Sequence, residues 1–339
     1  MLITSDVHLG LNRKSHTTKE SRKALAESIY QKAMQITSGE SDTTCLLGDL
    51  FDTYSNDEAT ITQGLAVGWR CDVVLSGNHD VSNRADKLGS LEFLRTVADI
   101  NVIITPVGES KHFHRGELNL VAVPHHSTQA LFEESLEACP ADKLLFLHCN
   151  YDNSLTEGLD SSINLSKSMA RRLLKKFDYI FIGHEHAPRE LEAGRVIIVG
   201  SPHPTSFGDI SDKFIWHYDE ATGKVSKTLV WEEATGYLEI AYEDGMAVPD
   251  LTGRQFIQVT GTIHLGQGAA LVKFISAIWA AGDCALMVKN AVSVETDRVL
   301  TERQDFTSII ETIANALKDT EIEGTWRDYN ARINHNNEL

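Results

Sequence analysis

Five short apolar runs in this chain end in residue types that bind metals. Leu2-Ile3-Thr4-Ser5 leads to Asp6-Val7-His8, Cys45-Leu46-Leu47-Gly48 to Asp49, and Val73-Val74-Leu75-Ser76-Gly77 to Asn78-His79-Asp80. Further on, Leu144-Leu145-Phe146-Leu147 leads to His148, and Ile180-Phe181-Ile182-Gly183 to His184-Glu185-His186. An Asp-x-His or Gly-Asp alone is ordinary turn chemistry. Five such strand ends in series are not, because carboxylates and imidazoles gathered at one sheet edge are costly to bury unless they are paired or hold a metal. Oxygen and nitrogen donors without thiolate suit Mn²⁺, Fe²⁺ or Zn²⁺ better than Ca²⁺ or a structural zinc. Cys149, next to His148, points to the opposite face of a strand and belongs to the core. The donors are too many for one ion. Two ions about 3.5–4 Å apart, sharing one carboxylate, would use them all and clamp both the attacking and the leaving oxygen of a phosphoester.

The elements that must bring these residues together follow from the alternation of apolar runs with helical patterns up to about Val230, which predicts an α/β layered domain. Strands are expected at 1–4, 44–47, 72–75, 118–123, 143–147, 179–182 and 196–199. Helices are expected after Thr17 and over 89–98, 128–138 and 165–176. Thr17 with Glu20 forms a capping-box pattern, and Leu25, Ile29, Ala33 and Ile36 recur at helical spacing. In open α/β sheets ligands gather outside the carboxyl ends of the strands, so residues far apart in sequence would converge there. After Trp231 a turn-rich acidic bridge marks a boundary, giving a first domain at 1–234 and a small α+β module at 235–339. The module is expected to hold strands at 254–260 and 284–288 and helices at 269–281 and 306–317.

Composition narrows the class. The chain has 339 residues, with 31 Lys+Arg against 48 Asp+Glu and a formal charge of −17. That balance argues against a simple electrostatic nucleic-acid binder, although bound metal ions can invert the local sign of a site. No apolar run long enough to span a membrane occurs, and the start, MLITSDVHLG, lacks the pattern of a signal peptide. A cytoplasmic protein without membrane association is predicted. The five cysteines are an odd number without a C-x-x-C pair, as expected of reduced thiols.

D-x-H, GD, GNHD, an isolated His and GHEH, in this order over Asp6 to His186, resemble the calcineurin-like metallophosphoesterases. Gly48-Asp49-Leu50-Phe51-Asp52 and the stretch Gly200-Ser201-Pro202-His203-Pro204-Thr205-Ser206-Phe207-Gly208-Asp209 further resemble the SbcD-type DNA repair and recombination nucleases of bacteria and phages. These carry a GD-x-FD motif and a GSP-x-P-x-SFG loop. The superfamily's protein phosphatases have Arg-Gly after GD-x-x-D and GNHE, where this chain has Thr53-Tyr54 and Asp80.

The resemblance implies a metallophosphoesterase fold: a two-layered β-sheet sandwich flanked by helices, with the module as an α+β cap. It implies two divalent ions, Mn²⁺ first among them. Asp6, His8, Asp49 and His186 would hold one, and Asp49, Asn78, His148 and His184 the other, with Asp49 bridging. A metal-activated hydroxide would attack phosphorus in line. His79 would protonate the leaving oxygen or stabilise charge on the phosphate, and Asp80, paired with it in the catalytic set, would orient His79 or cap the following turn. Some relatives have a catalytic His where Asp52 stands.

The implied activity is 3′→5′ exonuclease action on duplex ends and single-strand endonuclease action, in a bacterial or phage-infected cell, with an SbcC-like coiled-coil ATPase as partner. Arg13 and Lys14, directly after the first motif, and His203 in the GSP loop are candidate DNA contacts. His125 and His126 follow a strand and could line the site or the DNA path, but read first as a solvated loop. Phe306, Ile309, Ile310, Ile313 and Leu317 would dock the ATPase or form a homodimer, and suit a private core equally well. The competing readings are a phosphodiesterase or phosphatase for small esters, and an inert scaffold. The complete ligand set disfavours the scaffold.

Overall fold

The computed structural model describes residues 1–39, 43–82, 87–98, 102–103, 111–115, 118–152 and 163–295. The helix expected over 306–317, with its apolar positions, lies outside the described residues. Two six-stranded sheets form the centre. The first runs Lys224–Trp231, Lys213–Asp219, Leu2–Thr4, Thr44–Leu47, Val73–Leu75 and Val102–Ile103. The second runs Arg189–Leu191, Val196–Ile198, Tyr179–Gly183, Leu144–His148, Leu118–Val123 and Lys111–Arg115. Within each sheet the strands that carry the motifs are parallel to their motif-bearing neighbours. Strands buried on both faces read as unbroken apolar runs, which is why they were visible in the sequence.

The sheets face each other across Ile3, Cys45, Leu47, Val73 and Leu75 from one and Leu120, Leu144, Phe146, Phe181 and Ile197 from the other. Alternate residues point outward. Leu46 and Val74 meet the helices Lys19–Thr37, Glu58–Gly68 and Ser90–Ala98 on one side, while Leu145, Leu147 and Ile180 meet Gln129–Ala138 and Lys167–Leu173 on the other. The architecture is therefore the expected sandwich between helical layers. Cys149 lies in the outer, helix-covered core of the second sheet. The described cysteines are all free thiols, four of them buried.

Some elements differ from the sequence reading. The first helix begins one residue later than the Thr17 pattern implies: Thr18 is the cap, its Oγ1 accepting from Ser21 N at 3.0 Å while Ser21 Oγ accepts from Thr18 N at 2.9 Å. Thr17 instead donates its hydroxyl to the Arg13 carbonyl at 2.6 Å. The helix Glu58–Gly68, capped by Asp57, was not anticipated. Its Gly64 lets the ring of Phe51 approach the backbone, a packing role that no propensity scale rewards.

Beyond Trp231 a turn of helix leads into a three-stranded parallel sheet, Tyr237–Ala241, Phe256–Thr260 and Met287–Asn290, backed by the helix Gly268–Ala281. Its core is formed by Ile240, Ile257, Val259, Phe274 and Ile278. Phe256, Leu286 and Met287 join Trp231 in the cluster that also holds Val7, Leu9 and Leu11 behind the first motif. No helix among the described residues is long and apolar enough to cross a membrane.

Candidate metal centre

The five motifs leave the same edge of the sandwich and meet there. Asp6, His8, Asp49 and His148 are buried, and Asn78, His79, His184 and His186 are half-buried, so the centre opens on one side. Three groups of donor atoms converge: Asp6, His8 and His186; His8, Asp49 and His79; and Asp49, His148 and His184. Asn78 completes the last, its Oδ1 lying 3.0 Å from His148 Nε2 and 2.9 Å from His184 Nδ1. Asp49 stands between the groups, with Oδ2 3.8 Å from His8 Nε2 and 3.5 Å from His148 Nε2.

The backbone is bent to achieve this. Asp6, His8, Asp49 and His184 have φ of 53°, 55°, 51° and 94°, in the left-handed region that costs a non-glycine residue of order 1–3 kcal/mol and persists at sites the surroundings over-determine. Gly48 has φ 97°, and a Cβ there would strike the His148 ring. At Gly77 a Cβ would strike the Asp49 carboxylate, so the glycines beside the motifs make room for the donors.

The donor set fits divalent ions. Metal-binding imidazoles fix their inward nitrogen by donating the other N–H to an oxygen. Here His148 Nδ1 donates to the Leu47 carbonyl at 2.8 Å, His8 Nδ1 faces Asp52 Oδ1 at 3.3 Å, and His186 Nδ1 faces Thr205 Oγ1 at 3.2 Å. The inward Nε2 atoms of His8 and His186 lie 3.0 Å apart. Metal–nitrogen bonds of about 2.0–2.1 Å place two ligand nitrogens roughly 3–3.4 Å apart, so the pair is spaced to share one cation.

Electrostatics agree. Burial would raise the Asp49 pKa, but His148 and then His8 outweigh it and keep the carboxylate ionised. Burial opposes charge on His148, yet Asp49 prevails and raises its pKa to about 9, so without metal a proton occupies the cation's place.

Several site residues fall elsewhere than expected. Asp80, grouped with His79 in the catalytic pair, turns its carboxylate to the amides of Gly77 at 2.9 Å, Phe51 at 3.0 Å and Leu50 at 3.3 Å. It joins two motif turns. Burial, together with the nearby Asp49 charge, raises its pKa to about 7. His79 is instead oriented by Asp52, whose carbonyl accepts from His79 Nδ1 at 2.6 Å.

His203, a candidate DNA contact, is 7% exposed, and burial lowers its pKa to about 3, so it is a neutral and largely interior side chain. His126 is buried and His125 half-buried, its ring centroid 6.3 Å from that of His148, so this pair is not the solvated loop that was expected. Arg13 is half-buried near Asp52, and Lys14 is exposed. Asp209 and Lys213 emerge as neighbours of His186 that the sequence reading gave no role. A signal was available, since an Asp closes the GSP loop and a Lys stands directly before the apolar run Phe214-Ile215-Trp216.

Comparison with known proteins places this centre in context. No curated protein sequence matches the chain. Among solved structures, a Staphylococcus aureus protein provisionally named a 5′-nucleotidase, in complex with α-ketoglutarate, is 14% identical with a TM-score of 0.38 over 67% of this chain and 52% of its own. The chain thus spans about half the length of that protein. A metallophosphoesterase from Sphaerobacter thermophilus is 15% identical with a TM-score of 0.34, over 68% of this chain and 88% of its own. A predicted phosphoesterase from Streptococcus pneumoniae is 12% identical with a TM-score of 0.27, over 67% and 95%. The family model for calcineurin-like phosphoesterases matches residues 1–188, which contain all five motifs, and the chain belongs to that family.

Proposed function

We propose that the chain is a metal-dependent DNA nuclease that hydrolyses phosphodiester bonds at this centre as a subunit of a repair or recombination complex. The observation that carries phosphodiester hydrolysis is the position of Asp49 between His8 and His148, which belong to donor groups on either side of it. Two divalent ions, when bound there, supply a nucleophile at neutral pH and neutralise charge on the phosphate. Manganese is the proposed metal, in keeping with a donor set of carboxylates, imidazoles and one amide.

The chain's own groups do the rest. His79 has its Nδ1–H committed to the Asp52 carbonyl, so Nε2 is the ring atom left to give a proton to the leaving oxygen or to hold charge on the phosphate. Asp52 serves twice, with its carbonyl on His79 and its carboxylate on His8. Asp80 is a positioning residue that fixes the turns carrying Asp49 and Asn78. Arg13, half-buried beside Asp52, is the proposed cation for a phosphate oxygen.

DNA as substrate is supported by the GD-x-FD and GSP-x-P-x-SFG sequences. The charge of −17 fits a subunit whose SbcC-like ATPase partner supplies the grip on DNA. The same charge favours the second reading, hydrolysis of small phosphodiesters. The test is cleavage of end-labelled linear duplex DNA and of a small chromogenic phosphodiester with Mn²⁺, Mg²⁺ or EDTA, with and without His79→Ala. Metal-dependent shortening of DNA that the variant abolishes is the expected result. Activity confined to the small ester, even with the ATPase present, would replace the nuclease reading with the second.

A further inference from the structure

The last metal motif presents a mechanical problem. His148 is the final residue of a strand and is held by the ladder, whereas His186 lies three residues beyond the end of Tyr179–Gly183. Something outside that strand must hold it. Its main-chain carbonyl accepts from the ammonium of Lys213 at 3.0 Å and from Ser201 N at 3.2 Å. Its ring Nδ1 faces Thr205 Oγ1 at 3.2 Å and Asp209 Oδ2 at 3.4 Å. Thr205 in turn donates its hydroxyl to Asp209 Oδ2 at 3.1 Å and its amide to the same oxygen at 2.8 Å. The other Asp209 oxygen is bound by Lys213, which closes the circuit.

Lys213 thus grips His186 twice, directly at the backbone and through Asp209 and Thr205 at the ring. It is 0% exposed and sits in the strand Lys213–Asp219, so the circuit is anchored to the first sheet. A buried ion pair is a poor device for stability, because desolvating both charges can cost more than their attraction returns. Placed around a metal ligand it has another use. With Nδ1–H held by an oxygen, His186 has one tautomer and one orientation, with Nε2 aimed at the donors Asp6 and His8.

We infer that Asp209 and Lys213 are positioning residues that clamp His186 and set the affinity of the Asp6–His8–His186 position for its ion, and that the Gly200–Asp209 loop is built for this purpose. This rests on reading the centre as a two-metal site. It also gives the GSP loop a task other than touching substrate, in keeping with the burial of His203 and Thr205 within it.

The test is titration of the metal-free full chain with Mn²⁺ by calorimetry, with bound metal counted by elemental analysis. Asp209→Asn and Lys213→Met should each weaken one of two binding phases by about 10–100-fold and leave the other within about two-fold. Asp209→Glu should recover part of the loss. Because either single change strands a buried charge, the double variant Asp209→Asn with Lys213→Met keeps the interior neutral, and a melt of the metal-free protein checks its folding. The same one-phase loss is expected there. Two unchanged phases in a folded variant, or equal weakening of both, would overturn the clamp while leaving the two-metal site standing. Absence of Mn²⁺ uptake by the unmodified chain would instead remove the site reading on which the clamp depends.

Discussion

His79 and Asp49 are neighbours in the centre, and the proposed function gives them separable duties. The His79 amide donates to Asp49 Oδ1 at 2.9 Å, while its ring belongs to no ladder and is held by one carbonyl. His79→Ala should therefore lower kcat by at least about 100-fold, the usual scale for removing an acid–base group, with bound metal unchanged. Asp49→Ala should lose both activity and metal. Equal metal loss in the two variants would make His79 a ligand.

His148 gives a pH signature. Its pKa is raised from 6.5 to about 9 in the metal-free protein, so its pairing with Asp49 contributes full stability below pH 6.5 and loses it as pH rises through 9. Metal binding needs the neutral ring and strengthens over the same window, releasing a proton. Melting temperature of the EDTA-treated chain should fall from pH 6.5 to 9 while Mn²⁺ affinity rises; parallel trends would contradict the pairing. The converging donor residues were legible because each motif follows an apolar run. Their supports were not: Asp52, Asp209 and Lys213 act through a histidine, and only the fold shows which one.

At the scale of elements, the strands under the motifs were legible because burial on both faces leaves unbroken Val, Ile and Leu. The hairpin of Lys213–Asp219 and Lys224–Trp231 was not, since it lies past the last motif and carries polar residues on its outer face. The cap of the first helix was misplaced by one residue, because Thr17 and Thr18 offer the same hydroxyl and only Thr18 has Ser21 to answer it. Thr18→Ala should cost about 1 kcal/mol in denaturant unfolding, and Thr17→Ala clearly less. Gly77→Ala offers a sharper test of how the turns shape the centre. Its Cβ would press on the Asp49 carboxylate and lie 2.5 Å from the Asp49 amide, so metal content should drop with far-ultraviolet circular dichroism unchanged. Full metal occupancy in that variant would show that the turn can yield.

Over the whole molecule, the C-terminal module is more closely joined to the first domain than the acidic bridge after Trp231 suggests. Phe207, from the GSP loop, packs edge-on against Phe256 with centroids 6.1 Å apart, and Lys289 stands 5.7 Å from the centroid of the Phe207 ring. The amide of Val288 donates to the His16 carbonyl at 2.9 Å. Composition could not reveal this, because a shift in charge marks a change of surface and not a gap in the core. Metal should consequently stabilise more than the site: free Mn²⁺ at 100 times its Kd adds about 2.7 kcal/mol, raising the melting temperature in a way EDTA reverses. The most direct measurement is anomalous diffraction at the manganese edge from crystals grown with Mn²⁺. Two peaks are predicted, one among Asp6, His8 and His186 and one among Asn78, His148 and His184, with Asp49 touching both. A single peak, or peaks away from Asp49, would contradict the two-metal centre.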